Sequence, residues 1–219
     1  MGSAVIQLLV LAGVAIFLIL RLRSVLGTRE GFEKPRVPAP GPSTNTRRGF
    51  DVIEGGPDRD IIDHADEGSD AALALAAMKA REPSFGVSDF LSGAKGAYEM
   101  ILMAFENGDL SDVQPFLDEE VYETLQSVID ARAEQGVIVE ASFVGVRDTT
   151  LVGAEFDEST GMAEITVRFV CELTSVVRAT DGTIIEGSPT EIKRQKDVWT
   201  FARPMGSGDP NWNLVATGE

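Results

Sequence analysis

Residues 4–20 read AVIQLLVLAGVAIFLIL, seventeen positions without a charge and with Gln7 as the one polar side chain. As a helix this run spans about 25 Å, the short end of what a bilayer core of about 30 Å requires. Arg21 and Arg23 close it, and their long side chains can reach the headgroups while their stems stay among apolar groups. A cleaved secretion signal would open on a positive segment and end in small residues, and a mitochondrial presequence would be amphipathic and Arg-rich. A terminal run this uniform would be unusual in a buried core helix. The run is apolar all round, so it predicts an uncleaved transmembrane anchor flanked by Arg21 and Arg23. No basic side chain precedes it, whereas Arg21, Arg23, Arg29, Lys34 and Arg36 follow. The excess of basic residues on one side predicts that the C-terminal part faces the cytoplasm, with the cluster against anionic headgroups.

Charge is divided along the chain. Residues 1–50 hold seven Lys and Arg against two acids, a net of +5, so of the total of −16 the remainder carries −21. A surface that acidic argues against nucleic acid or an anionic bilayer as general partners and favours positive patches on another protein. Cys171 is the single cysteine, which excludes an intrachain disulfide and fits a reducing compartment.

Composition separates a linker from a folded part. The stretch 27–68 contains VPAPGPSTNTRRG and EGGPDRD, segments that cannot bury enough apolar surface to fold alone. Phe50, Val52, Ile53, Ile61 and Ile62 are isolated apolar islands within it. Ser69 to Arg81 has strong helix formers, with Asp70 as the expected cap. A second helix is expected from Ser88, as cap, to about Asn107. Phe90, Leu91, Ala94, Ala97, Tyr98, Ile101, Leu102 and Phe105 fall at its three-and-four spacing. A short helix capped by Ser111 runs to Leu117. A helix over about Glu119 to Gln135 presents Val121, Leu125, Val128, Ile129 and Arg132 on one side, with Gly136 at its end. From Val137 the period becomes two, predicting strands at Val137–Val144, Leu151–Asp157, Ala163–Glu172, Glu191–Ala202 and Trp212–Ala216, with turns at Asp157–Gly161 and Asp181-Gly182. Helices followed by an antiparallel meander predict an α+β domain with helices on one face of a curved sheet.

The chemical inventory is short. His64 is the single histidine and lies in the acidic linker, which leaves no Ser-His or Cys-His nucleophile pair expected in the domain. No HExxH, GxxxxGK[ST] or GxGxxG run is present there. His64, Asp66 and Glu67 are a solvated charge run rather than a metal site. Cys171, in an alternating strand, reads as a small buried hydrophobe. Trp199 and Trp212 read as core or as the wall of an apolar pocket. No catalytic residue, metal or cofactor is expected.

Three segments carry a family resemblance: FLSGAKGAYEMILMAFENGDL from Phe90, DEEVYETLQSVIDARAEQG from Asp118, and DVWTFARPMGSGDPNWNL from Asp197. Over about residues 80–219 the chain resembles the Tim44-like family. The family's eukaryotic founder is the inner-membrane tether that recruits a heat-shock chaperone to the presequence translocase, through a segment ahead of the domain that has no counterpart here. The resemblance implies a cone-shaped α+β fold like nuclear transport factor two, with a large apolar pocket. It also implies an adaptor held at a membrane. The founder's basic, lipid-binding helices are not matched by Ala71–Arg81, whose only cations are Lys79 and Arg81.

The expected organisation is an anchor with its basic flank over 1–26, a flexible linker over 27–68 and the domain over 69–219. The expected function is a membrane-anchored adaptor or scaffold at the cytoplasmic face of the bacterial inner membrane, with the mitochondrial inner membrane as the alternative location. It would bind a protein partner, a lipid or a hydrophobic peptide, with a link to protein translocation or membrane protein assembly. A lipid or small-ligand sensor is the alternative, and an isomerase- or dehydratase-like enzyme the weaker one. The expected pocket lining is Tyr98, Leu102, Phe105, Leu125, Ile129, Phe143, Val167, Phe169, Trp199 and Trp212.

Overall fold

The computed structural model describes residues 58–218. The run 4–20, its flank Arg21 and Arg23, and most of the linker lie outside the described residues. Among the described residues no helix is long and apolar enough to cross a membrane. Helices α1 (Arg59–Ile62), α2 (Asp70–Arg81), α3 (Val87–Asn107) and α4 (Glu119–Glu134) are followed by strands β1 (Val137–Asp157), β2 (Met162–Ala179), β3 (Ile184–Pro204) and β4 (Asn213–Gly218). The strands form an antiparallel sheet in the order β1-β2-β3-β4, so the α+β class expected from the sequence is the observed one.

The amphipathic stripe of α3 makes the core. Phe90, Leu91, Ala94, Tyr98, Ile101 and Leu102 are buried, as the spacing requires, and so are Ala163, Ile165, Val167, Phe169 and Cys171 along β2. Helix and strand periods thus present one apolar face each, and the two faces close on each other. On α4 only Val121 is buried. Leu125 and Ile129 are half-buried, Val128 is exposed, and Arg132 stacks on Phe105 at 4.3 Å.

Several local expectations are corrected. Ser69, not Asp70, caps α2 through Ala72 N–H at 3.2 Å. The short helix expected after Ser111 is a 3-10 turn over Gln114–Phe116, and Ser111 instead donates its amide and hydroxyl to Asp109. The strands expected at Val137–Val144 and Leu151–Asp157 are one strand. Register shifts near Gly145, Arg147 and Val152 absorb the irregular pattern as bulges instead of ending the pairing. Strand β3 likewise starts earlier than expected, pairs Gly187 with Val176, and carries Pro189 through a long bulge between Ser188 and Lys193. At Gly187, with φ 76°, an added Cβ would lie 2.1 Å from the Ser175 carbonyl oxygen, so only glycine fits. The Asp157 turn closes β1 to β2 as expected. Its carboxylate takes the Ser159 hydroxyl at 2.6 Å and the Thr160 hydroxyl at 2.8 Å, which holds its pKa down at about 2.

The largest correction concerns the linker. The domain begins by Asp58, not at Ser69, because residues 58–68 pack on it. Ile61 is buried in the common core. Helix α3 starts at Val87 with Gly86 at its cap position, which offers no side chain. Asp60 supplies the cap from a distance, accepting Val87 N–H at 2.7 Å, Ser88 N–H at 2.9 Å and the Ser88 hydroxyl at 2.7 Å. Lys79 pairs with Asp60 at 2.8 Å and with Asp58 at 2.7 Å. Burial alone would raise the Asp60 pKa, but the bonds from Lys79, Ser88 and Val87 together hold it well below the usual carboxylate range. His64 lies with Ser88 too, its Nε2 3.1 Å from the hydroxyl oxygen. A Ser-His contact therefore exists in the domain, against expectation. The Ser88 proton is committed to the Asp60 carboxylate, so His64 is not placed to activate it.

Asp60→Ala removes a helix cap and a lysine partner together, and should destabilise the domain by about 1–2 kcal/mol. Denaturant titration measures this. A depressed carboxylate contributes its stability above its unfolded pKa of about 3.9 and loses it as pH falls through the folded value. The gap between variant and wild type should therefore close in acid, below about pH 4. Mild proteolysis should yield a stable fragment that starts near Asp58; a fragment starting at Ser69 would show that the 58–68 segment does not hold.

Candidate functional site

Helix α3 has two faces with different fates. The inner one carries the stacked rings of the core. Tyr98 lies on Phe169 at 4.4 Å and 16°, and against Trp199 at 4.7 Å. Its hydroxyl donates to Asp197 at 2.5 Å and lies 3.1 Å from the Cys171 sulfur, and Gln195 donates to the same carboxylate at 3.0 Å. Burial, with the Asp197 carboxylate beside it, pushes the phenol far above its ordinary pKa, so Tyr98 stays a donor. Burial likewise pushes the Cys171 thiol up. Cys171 is fully buried, as its strand position implied, with its thiol beside the Tyr98 hydroxyl.

The outer face of α3 is open. Asp89, Ser92, Gly93, Gly96, Ala97 and Met100 floor a groove of about 630 Å³. Phe85, Phe90, Phe116 and Trp212 wall it, and Glu82 and Arg203 close one side. A second depression of about 590 Å³ shares Gly96 and Met100 and continues past Met103, Ala104 and Asn107 to Asp109 and Asp112. Together they follow α3 for about 30 Å at 1.5 Å per residue. The floor is low because it lacks side chains. A Cβ added at Gly93 or Gly96 would meet nothing within 4 Å. Each mid-helix glycine costs about 0.5–1 kcal/mol relative to alanine, and no contact within the described residues explains either one.

Arg203 holds the closed side together. It is buried, donating to Glu82 at 2.9 Å and to the Asp209 carbonyl at 2.8 Å, with its guanidinium 5.1 Å from the Trp212 ring centre. Its Nε is buried with no hydrogen-bond partner among the described residues. Glu82 also accepts Gly206 N–H at 2.8 Å, and this bond, with Arg203, overcomes burial and lowers its pKa. The aromatic contacts run without a break from the groove inward. Trp212 meets Phe90 at 4.7 Å, Phe90 meets Phe201 at 6.0 Å, and Phe201 meets Phe169 at 6.4 Å.

A profile of the Tim44-like domain matches residues 71–219. The chain belongs to the Tim44-like family. Comparison with curated proteins finds no match. Among solved structures, the intermembrane space region of chloroplast protein ARC6 is 9% identical, covering 58% of this chain and 94% of that one, with a TM-score of 0.40.

Of the ten residues expected to line a pocket, Tyr98, Leu102, Val167, Phe169 and Trp199 are buried in the core, and Phe105, Leu125, Ile129 and Phe143 pack half-buried against it. They do converge, but rings stacked this closely fill the space between helix and sheet. Trp212 is the one of the ten that lines the Tim44-like domain's outer groove. Apolar spacing leads to the buried face of α3 and not to the groove. The signal for it lay opposite, in Ser92, Gly93 and Gly96 spaced along a helix that also carries Met100 and Met103.

Arg203→Ala leaves the Glu82 carboxylate without its cation and should cost about 3 kcal/mol, read from denaturant midpoints near neutral pH. Because Glu82 is depressed below 4.5, the pair's contribution is present above that value and fades as the carboxylate protonates in acid. Arg203→Lys should recover only part of the loss, since a point charge cannot serve Glu82 and the Asp209 carbonyl as the planar fork does.

Proposed function

We propose that this chain is a membrane-anchored adaptor of the Tim44-like family whose α3 groove holds a helical segment of a protein partner. In this reading residues 4–20 span the bacterial inner membrane, with Arg21 and Arg23 at the cytoplasmic headgroups, residues 27–57 form a linker, and the domain from Asp58 onward takes the family's cone-shaped arrangement. The observation that carries the binding role is the pair of glycines in the exposed interior of α3. Both weaken the helix and neither makes room for a contact within the domain. A helix laid across them could approach closely, as small residues permit, and meet Met100, Phe116 and Trp212. Glu82, Asp89, Glu99, Asp109 and Asp112 border the two depressions, so the partner segment should be cationic at its flanks. The groove is open and acid-bordered, which suits a polypeptide better than an acyl chain. The family's link to membrane-related protein translocation gives the role its context.

An enzymatic reading would need an acid or base whose pKa is drawn toward neutrality in a cavity. Glu82, beside the α3 groove, is instead held down by Gly206 and Arg203, and the buried pair Tyr98 and Asp197 lines neither depression.

Gly96→Ala should stabilise the domain by about 0.5–1 kcal/mol, since the methyl meets nothing. Gly93→Leu with Gly96→Leu should leave the domain folded but fill the groove floor. Affinity capture from detergent-solubilised membranes, compared side by side, should lose a salt-sensitive partner present with wild type. The same partners in the same amounts on the double variant would sink the assignment.

A further inference from the structure

Apart from the α3 groove the domain carries two unsatisfied surfaces, on opposite sides, and they are complementary in charge. The first is the outer face of the sheet. Arg168, Val170 and Glu172 alternate with the buried Val167, Phe169, Cys171 and Leu173, so they point away from the core. Glu172 pairs in register with Arg194, Val170 with Lys196 and Arg168 with Val198. Arg147 joins the Glu172 row through an ion pair at 2.6 Å, and Arg194 reaches the other oxygen of the same carboxylate at 3.1 Å. Two arginines thus share one acid while keeping 56% and 63% of their side-chain surface exposed. Arg168 has Asp148 only at 3.4 Å. Lys196 is exposed and makes no ion pair among the described residues. In a domain that is otherwise strongly acidic, this face gathers a local excess of cations around Val170 and Val198.

The second surface is the solvent side of α4. Glu119, Glu123, Ser127, Asp130 and Glu134 recur at helical spacing, and all are exposed, with Glu120 and Val128 beside them. Glu119 with Glu123, and Asp130 with Glu134, are like charges one turn apart, an arrangement that weakens a helix. The one basic residue of α4, Arg132, turns instead to Phe105 and Glu106. Val121, Leu125 and Ile129 bind α4 to the core side of the sheet, so the acidic stripe and the cationic sheet face look in opposite directions. One copy cannot satisfy itself.

We propose that a second copy of this chain does so: the cationic outer sheet face of one molecule docks on the acidic stripe of α4 of the next. Val170 and Val198 would meet Val128 within a border of Arg147, Arg168, Arg194 and Lys196 against Glu119, Glu123, Asp130 and Glu134. The contact is heterologous, so it propagates from copy to copy rather than closing as a two-fold dimer. It leaves the α3 groove free and stands apart from the reading of that groove.

The test uses the full-length chain in nonionic detergent, followed by analytical ultracentrifugation. Wild type should self-associate at about 50 mM salt and dissociate at about 500 mM, because exposed pairs are screened. A sheet variant, Arg194→Glu with Lys196→Glu, and a helix variant, Glu119→Lys with Glu123→Lys, should each stay monomeric at low salt. Mixed, the native cationic sheet of the helix variant meets the native acidic stripe of the sheet variant, and the two reversed faces also attract, so the mixture should recover association in alternating copies. Circular dichroism checks that each is folded. Lys196→Glu alone, which breaks no ion pair, should weaken association several-fold and serves if a double variant unfolds. Monomeric wild type at low salt and high concentration overturns the proposal. So does undiminished association of the folded variants, or a mixture that remains monomeric.

Discussion

Tyr98 ties the helical half of the domain to the sheet. Its ring stacks on Phe169 of β2, and its hydroxyl reaches across to Asp197 of β3 and to Cys171 of β2. A buried carboxylate without donors would be costly, and here Tyr98 and Gln195 satisfy it without a cation. The hydrogen bond therefore fixes where α3 sits, and the rotation of α3 follows. With its apolar stripe turned onto the sheet, Gly93 and Gly96 are left facing outward, where Trp212, Phe116 and Arg203 make them the floor of a groove. The position of one helix decides what the domain offers to others.

Charge organises the surface around that helix. Asp60 and Lys79 hold the first turn of α3 from outside the helix, and the same clasp fastens the segment through which the rest of the chain arrives. Glu82 and Arg203 brace the groove's other wall. Acids border the groove and stripe α4, while the exposed cations of the sheet collect on the outer face. In a domain of the Tim44-like family, these faces of defined sign support the adaptor role proposed above.

The sequence made the periodic parts legible. The three-and-four spacing of Phe90 to Phe105 and the alternation of Ala163 to Cys171 are local consequences of helix and strand geometry, and the folded domain buries both faces. What escaped depends on contacts between distant residues. Asp60 in a Pro- and Gly-rich stretch looked like linker, because a side chain that caps a helix 27 positions away leaves no local pattern. Gly145 looked like a strand end, although a bulge lets the pairing continue. Tyr98, Phe169 and Trp199 pack together in the core; apolar spacing locates a core, whereas a groove is marked by missing side chains, as at Gly93 and Gly96.

The dependence of the groove on the Tyr98 anchor is open to a direct measurement. Tyr98→Phe keeps the stacked ring and deletes one hydroxyl, leaving the Asp197 carboxylate with Gln195 as its remaining side-chain donor. Amide hydrogen exchange followed residue by residue, with the global stability taken from denaturant unfolding, should show a loss of about 1–3 kcal/mol. Protection should fall first along α3, from Val87 to Asn107, ahead of β2 and β3. Unchanged stability, or protection that falls in the sheet while α3 stays as in wild type, would contradict the account.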